Sequence, residues 1–142
     1  MAAQHPTGLP PPGQRDSFQG LAEVSLKIGE TAKAIQYAAK ELAIDERFLQ
    51  ADAKNTNAQH NQAVANRQIG GAHELIAQRK ALPPSERRTE LREAGVWYGR
   101  SQDILLALNK AGTLAPTYLH ELTDVSNYMA NCDKALAAIR ID

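Results

Sequence analysis

Between Asp16 and Leu42 the apolar and small residues fall at positions 18, 21, 25, 28, 32, 35, 39 and 42. The steps alternate three and four without a break, which is the heptad seam of helices that pack side by side. Its wide positions are Leu21, Ile28, Ile35 and Leu42, and Ser25, Ala32 and Ala39 between them are small. Asp16 or Ser17 serves as the N-cap. The pattern predicts a helix over 17–43.

A second seam runs through Phe48, Ala51, Asn55, Ala58, Gln62, Ala65, Ile69, Ala72 and Ile76, out of phase with the first. The phase change places a turn near Asp45, itself a reasonable N-cap. No Gly or Pro marks that turn, so one long bent helix is the alternative. The second helix is expected over 46–82, because Pro83-Pro84 ends it. Ser85 opens a third, over 85–111, with Leu91, Ala94, Tyr98, Ser101, Leu105 and Leu108 on its seam and Gly112 at its C-cap. Pro116 sits in the first turn of a fourth, over 115–140, whose seam is Tyr118, Leu122, Val125, Met129, Cys132, Leu136 and Ile139.

Facing residues of an antiparallel pair have numbers with a constant total. A total of 90 matches the first two seams, 226 or 227 the last two, and one near 167 joins the second helix to the third. The sequence therefore predicts an all-α fold, an antiparallel up-down-up-down four-helix bundle with heptad-type seams over residues 16–142. Residues 1–15 hold four prolines and two glycines among polar residues. They read as a flexible tail with polyproline II character that is dispensable for folding; "LPPP" as a ligand for an aromatic groove is the lesser alternative.

The stretch "EAGVWYGR" places the single Trp, Trp97, beside Tyr98 between Gly95 and Gly99. The total of 167 sets Trp97 opposite Gly70 and Val96 opposite Gly71. The expectation is a wide aromatic layer that fits because glycines on the neighbouring helix leave room, rather than a ligand cavity.

Chemistry-bearing motifs are few. There is no phosphate-binding glycine loop. His5, His60, His73 and His120 have no metal-ligand spacing, and the His73-Glu74 and His120-Glu121 pairs lack the partner a helix-borne site needs, so both are expected to face solvent. The seams hold no clustered carboxylates for acid–base work. Cys132 lies on a core seam and reads as inert, and one cysteine builds no internal disulfide. No catalytic residue, cofactor or metal is expected, and the chain is not expected to be an enzyme.

Sixteen basic residues balance sixteen acidic ones, which argues against general nucleic-acid or membrane-surface binding. No apolar run reaches membrane-spanning length or resembles a signal peptide, so the expected setting is soluble and cytoplasmic. In the amide-rich run over 55–68, Asn55 and Gln62 fall on seam positions and are read as fixing register. Two surfaces remain. Leu26 and Val64 occupy outward positions that lie side by side in the first hairpin, flanked by Ala22 and Gln68. This apolar flank is the expected contact for another protein or a second copy. Arg79, Lys80, Arg87, Arg88 and Arg92 cluster at the tip between the second and third helices, the alternative site for an anion on nucleic acid or phosphoinositide. The functional expectation is a protein–protein interaction module: an adaptor, a regulator or a subunit of an assembly.

Overall fold

The computed structural model describes residues 8–140. Among them are five α-helices packed against one another: α1 (Gln14–Lys27), α2 (Thr31–Ala51), α3 (Thr56–Ala77), α4 (Pro84–Lys110) and α5 (Leu119–Ala138), the last preceded by a 3-10 turn at Pro116–Tyr118. The all-helical expectation holds; the count of four does not.

The extra break is at Gly29. Its φ of +79° is left-handed backbone that glycine adopts without steric cost. The Glu30 N–H then reaches back to the Ser25 carbonyl at 2.8 Å and closes the end of α1. The same device closes α4, where Gly112 has φ +74° and the Thr113 N–H bonds to the Leu108 carbonyl at 2.9 Å. The unbroken seam through 25, 28, 32 and 35 conceals the first of these stops.

The expected turn near Asp45 is also displaced. Asp45 lies inside α2, and the chain turns at Asp52–Asn55 without Gly or Pro. The Asp52 carboxylate accepts the Lys54 N–H at 3.0 Å, and the Asn55 side chain caps α3 by accepting the Ala58 N–H at 3.0 Å.

The first hairpin is therefore not the expected one. α1 folds back on α2 at Gly29, so α1 and α3 run parallel: Arg15 meets Asn61, Glu23 meets Arg67, and Thr31 just beyond α1 meets Arg79. The other two pairings follow the sequence. Gly70 meets Tyr98 across α3 and α4, and Tyr98 meets Tyr128 across α4 and α5.

α3 is the centre, packed on α2 and α4 along its length and on α1 at one edge. The main apolar core lies between α3, α4 and α5 and includes Leu91, Tyr98, Leu105, Leu108, Val125 and Cys132. The α4 seam read from the sequence is the set of α4 residues that are buried. On the other side of α3 the buried positions of α1 and α2 are small or polar: Ala22, Ser25, Thr31, Ala34 and Ala38, with Ile44 the exception.

Tyr98, not Trp97, fills the glycine gap. A Cβ on Gly70 would lie 2.8 Å from a Tyr98 ring carbon. Trp97 is one residue, hence about 100°, further round α4; it stays half-buried with the Arg100 guanidinium 4.5 Å above its ring. Nor is the described part of residues 1–15 loose. Pro10 is buried, Arg47 donates to the Gly8 carbonyl, and Arg15 is 6% exposed. Residues 1–7 of the expected tail lie outside the described part.

Candidate functional site

The least ordinary constellation lies where α1 crosses α2. Arg15, on the first turn of α1, extends its guanidinium between two carboxylates that are one helical turn apart on α2. Its Nε donates to Asp45 Oδ1 at 3.1 Å, and one Nη2 proton goes to the Asn61 carbonyl of α3 at 2.7 Å. The same Nη2 lies 3.0 Å from Glu41 Oε1, within ion-pair range but not aligned as a hydrogen bond. Arg15 also donates to the Gln19 side chain. Glu41 is 0% exposed and Asp45 1%. Both Glu41 oxygens and Asp45 Oδ2 lack a hydrogen-bond partner.

One cation thus faces two buried acids. Burial pushes the Glu41 carboxyl up to about 8, against the pull of Arg15 and with a further push from Asp45 and Glu23. Burial likewise lifts Asp45 to about 6, while Arg15 restrains it. At neutral pH the cluster is most stable holding one proton on Glu41, which leaves Arg15 and Asp45 as a balanced pair. Beside it, Gln68 of α3 donates to Glu23 Oε1 at 2.8 Å, and Arg67 donates to the same oxygen at 3.0 Å. Burial alone would raise Glu23, but Gln68 and Arg67 bring it below its ordinary value. α1 is therefore held by a polar lock as well as by the packing of Ala22, Phe18 and Leu26.

The outer face of α1 is the reverse of what an amphipathic surface helix presents. Leu21, Val24 and Ile28 are 44%, 55% and 64% exposed, while the inner face carries Arg15, Ala22 and Ser25. Of the seam that opened the sequence reading, Leu21, Ile28, Ala32 and Ala39 are exposed and only Ser25 is buried.

The flank expected at Leu26, Val64, Ala22 and Gln68 is not a surface. Ala22 and Gln68 are fully buried, Val64 is 7% exposed, and Leu26 is half-buried with its methyls 3.9 Å from where a Gly71 Cβ would stand. Because α1 folds back at Gly29, residues that point outward in a long antiparallel hairpin point inward here.

Two of the five residues of the basic tip are committed to the protein itself. Arg79 donates to Thr31 Oγ1 at 2.7 Å, and Arg87 donates to the carbonyls of Arg79 and Leu82 at 3.0 and 3.2 Å, tying down the α3–α4 loop. Lys80 and Arg87 border a cleft of about 690 Å³ between α3, α4 and α5, with Glu74, Leu91 and Asn131 also on its walls. Arg88 is half-buried and Arg92 exposed.

A second groove, of about 660 Å³, runs over α3 between α2 and α4, with Gln62 and Asn66 of the amide-rich run among its lining and Trp97 and Arg100 on the α4 side. Gln62 therefore borders an open groove rather than a sealed seam. Of the two histidines expected to face solvent, His120 does and His73 instead bridges helices, its Nδ1 2.6 Å from Glu90; His60 Nε2 lies 2.9 Å from Glu121 and its ring stacks on Tyr118. Among the described residues no group of three or more His, Cys, Asp or Glu is placed to hold a metal. Cys132 is buried and its thiol is pushed up to about 12, by burial first and by Glu74 and Asp133 next.

The sequence reading passed over Arg15, Glu41 and Asp45. A signal was present: Thr31, Ala34, Ala38, Glu41 and Asp45 also step by three and four. That stripe of small residues ends in two acids, and charge at the last positions made it look like the solvent face. Among the described residues no helix is long and apolar enough to cross a membrane. The chain matches no protein-family model, no curated protein and no solved structure.

Proposed function

We propose that this chain is a non-catalytic helical interaction module, an adaptor, regulator or subunit of an assembly, that docks a protein partner on the outward face of α1. The carrying observation is that α1 turns Leu21, Val24 and Ile28 to solvent and its small and polar residues to its own protein. Single exposed apolar side chains are ordinary, but three along one helical stripe form a ridge suited to a groove on a partner. The absence of a net charge fits recognition by apolar contact, and a soluble cytoplasmic setting goes with this reading. Leu21→Glu with Val24→Glu tests it. Wild-type protein used as bait in the source cell should retain a partner at reproducible stoichiometry, and the folded double variant should lose it. Equal retention by both proteins removes the reading.

The alternative is anion binding at the basic tip, on nucleic acid or phosphoinositide. The cleft bordered by Lys80 and Arg87 favours it; the commitment of Arg79 and Arg87 to protein oxygens weighs against it. Salt separates the two, because phosphate-driven binding weakens steeply as ionic strength rises and apolar docking does not.

A further inference from the structure

α1 is attached to the rest of the chain in an unusual way. Its most specific contacts are polar, Arg15 to Asp45 and Asn61 and Glu23 to Arg67 and Gln68, beside the packing of Phe18 on Tyr37 and of Leu26 near Gly71. Its covalent tie to α2 is the elbow Ile28-Gly29-Glu30, and residues 8–13 move with it. The three-four pattern runs through that elbow in register, so the sequence on both sides suits one continuous helix. A Cβ on Gly29 would meet nothing within 4 Å, so no packing holds the bend; the left-handed backbone of a single residue does.

We propose that α1 is an exchangeable arm: the elbow straightens, α1 and α2 become one helix from Gln14 to Ala51, and the α1 of a second copy takes the vacated slot. Every contact of the lock re-forms between copies, with Arg15 of one reaching Glu41, Asp45 and the Asn61 carbonyl of the other. The pairing is isologous, so each contact forms twice. Two straightened helices that keep the Arg15–Asp45 register cross at the elbow. The area suffices. A helix the length of α1 spans about 21 Å and buries roughly half its circumference, about 330 Å². Two exchanged arms, counted on both surfaces, place about 1,300 Å² between the copies, the size of a stable interface, and this is area that the bent chain already buries within itself, so the exchange is close to neutral in burial.

The exchange concerns a second copy and is independent of what docks on Leu21 and Val24. The test is a distance measured between spin labels on Gln14→Cys and Glu46→Cys, both exposed; Cys132 is buried and stays unlabelled. In the bent form the two labels are neighbours; in the straight helix they are about 48 Å apart. Protein refolded at high concentration should contain a dimer showing the long distance within each chain. Copies labelled singly, one at 14 and one at 46, should show the short distance between chains. Gly29→Ala, which penalises the bend and favours the helix, should raise the dimer fraction by about tenfold. A dimer whose chains keep only the short internal distance overturns the proposal, as does a folded Gly29→Ala protein that stays monomeric and bent. Should Gly29→Ala fail to fold, wild-type protein decides: no long distance at any concentration up to the millimolar range overturns it equally. Loss of the exchange leaves the docking of Leu21 and Val24 standing, because that rests on partner retention alone.

Discussion

Glu41→Gln isolates the proton in the buried cluster. In the unfolded chain Glu41 ionises near 4.5, whereas in the folded protein its carboxyl is pushed up to about 8. Between those values the folded state binds a proton that the unfolded state has released, so stability falls as pH rises. The contribution is fully present below about 4.5 and is lost as pH climbs through 8. The slope for one proton is about 1.4 kcal/mol per pH unit, which sets a ceiling of roughly 5 kcal/mol across the window. The measured loss should be smaller, because letting α1 come away hydrates Glu41 at the cost of the contacts of α1 alone. Asp45, lifted to about 6, adds a same-signed contribution at the acidic end of the window. Gln keeps the shape and removes the titration. Urea unfolding at pH 5, 7 and 9 should show wild-type stability falling by about 2–4 kcal/mol from 5 to 9, with a visibly shallower fall in the variant. At pH 9 Glu41→Gln should be the more stable protein. Parallel curves for the two proteins, or a variant that is weaker at pH 9, would refute a neutral buried Glu41.

Gly70→Ala should destabilise by about 1–3 kcal/mol, read as a lower thermal midpoint, because the new methyl meets a buried Tyr98 ring that its 2.7 Å bond to Glu74 holds in place. Trp97→Ala should cost about 1–2 kcal/mol, well under the 3–5 of a fully buried aromatic, since the ring lies half-open on a groove edge. Removing residues 1–15 should lower stability by about 3–5 kcal/mol in chemical unfolding and deprotect α1 in amide exchange, because Glu41 and Asp45 lose the cation paired with them; an unchanged midpoint would restore the dispensable tail.

Periodicity determined that the chain is helical and fixed the α4 seam and the antiparallel pairing of α3 with α4 and of α4 with α5, and Gly112 marked the end of α4, whereas α3, expected to run to residue 82, ends at Ala77 and Pro84 opens α4. Those segments have one apolar stripe each, so a single arrangement buries the large side chains. The N-terminal third carries two stripes of the same period: one apolar, through Leu21, Ile28, Ala32 and Ala39, and one small and polar, through Thr31, Ala34, Ala38, Glu41 and Asp45. Hydrophobicity favours burying the first, and the sequence reading followed it. The tertiary structure buries the second, because α3 offers a close small-residue surface and Arg15 arrives from thirty residues away to neutralise Asp45. A turn at Asp52–Asn55 without Gly or Pro, and a bend confined to Gly29, are local choices that periodicity does not register. The one-residue difference between Trp97 and Tyr98 at Gly70 has the same origin, since the rotation of a helix is set by all its neighbours at once. What faces out on α1 was decided by which of two equally regular stripes the rest of the fold could accept.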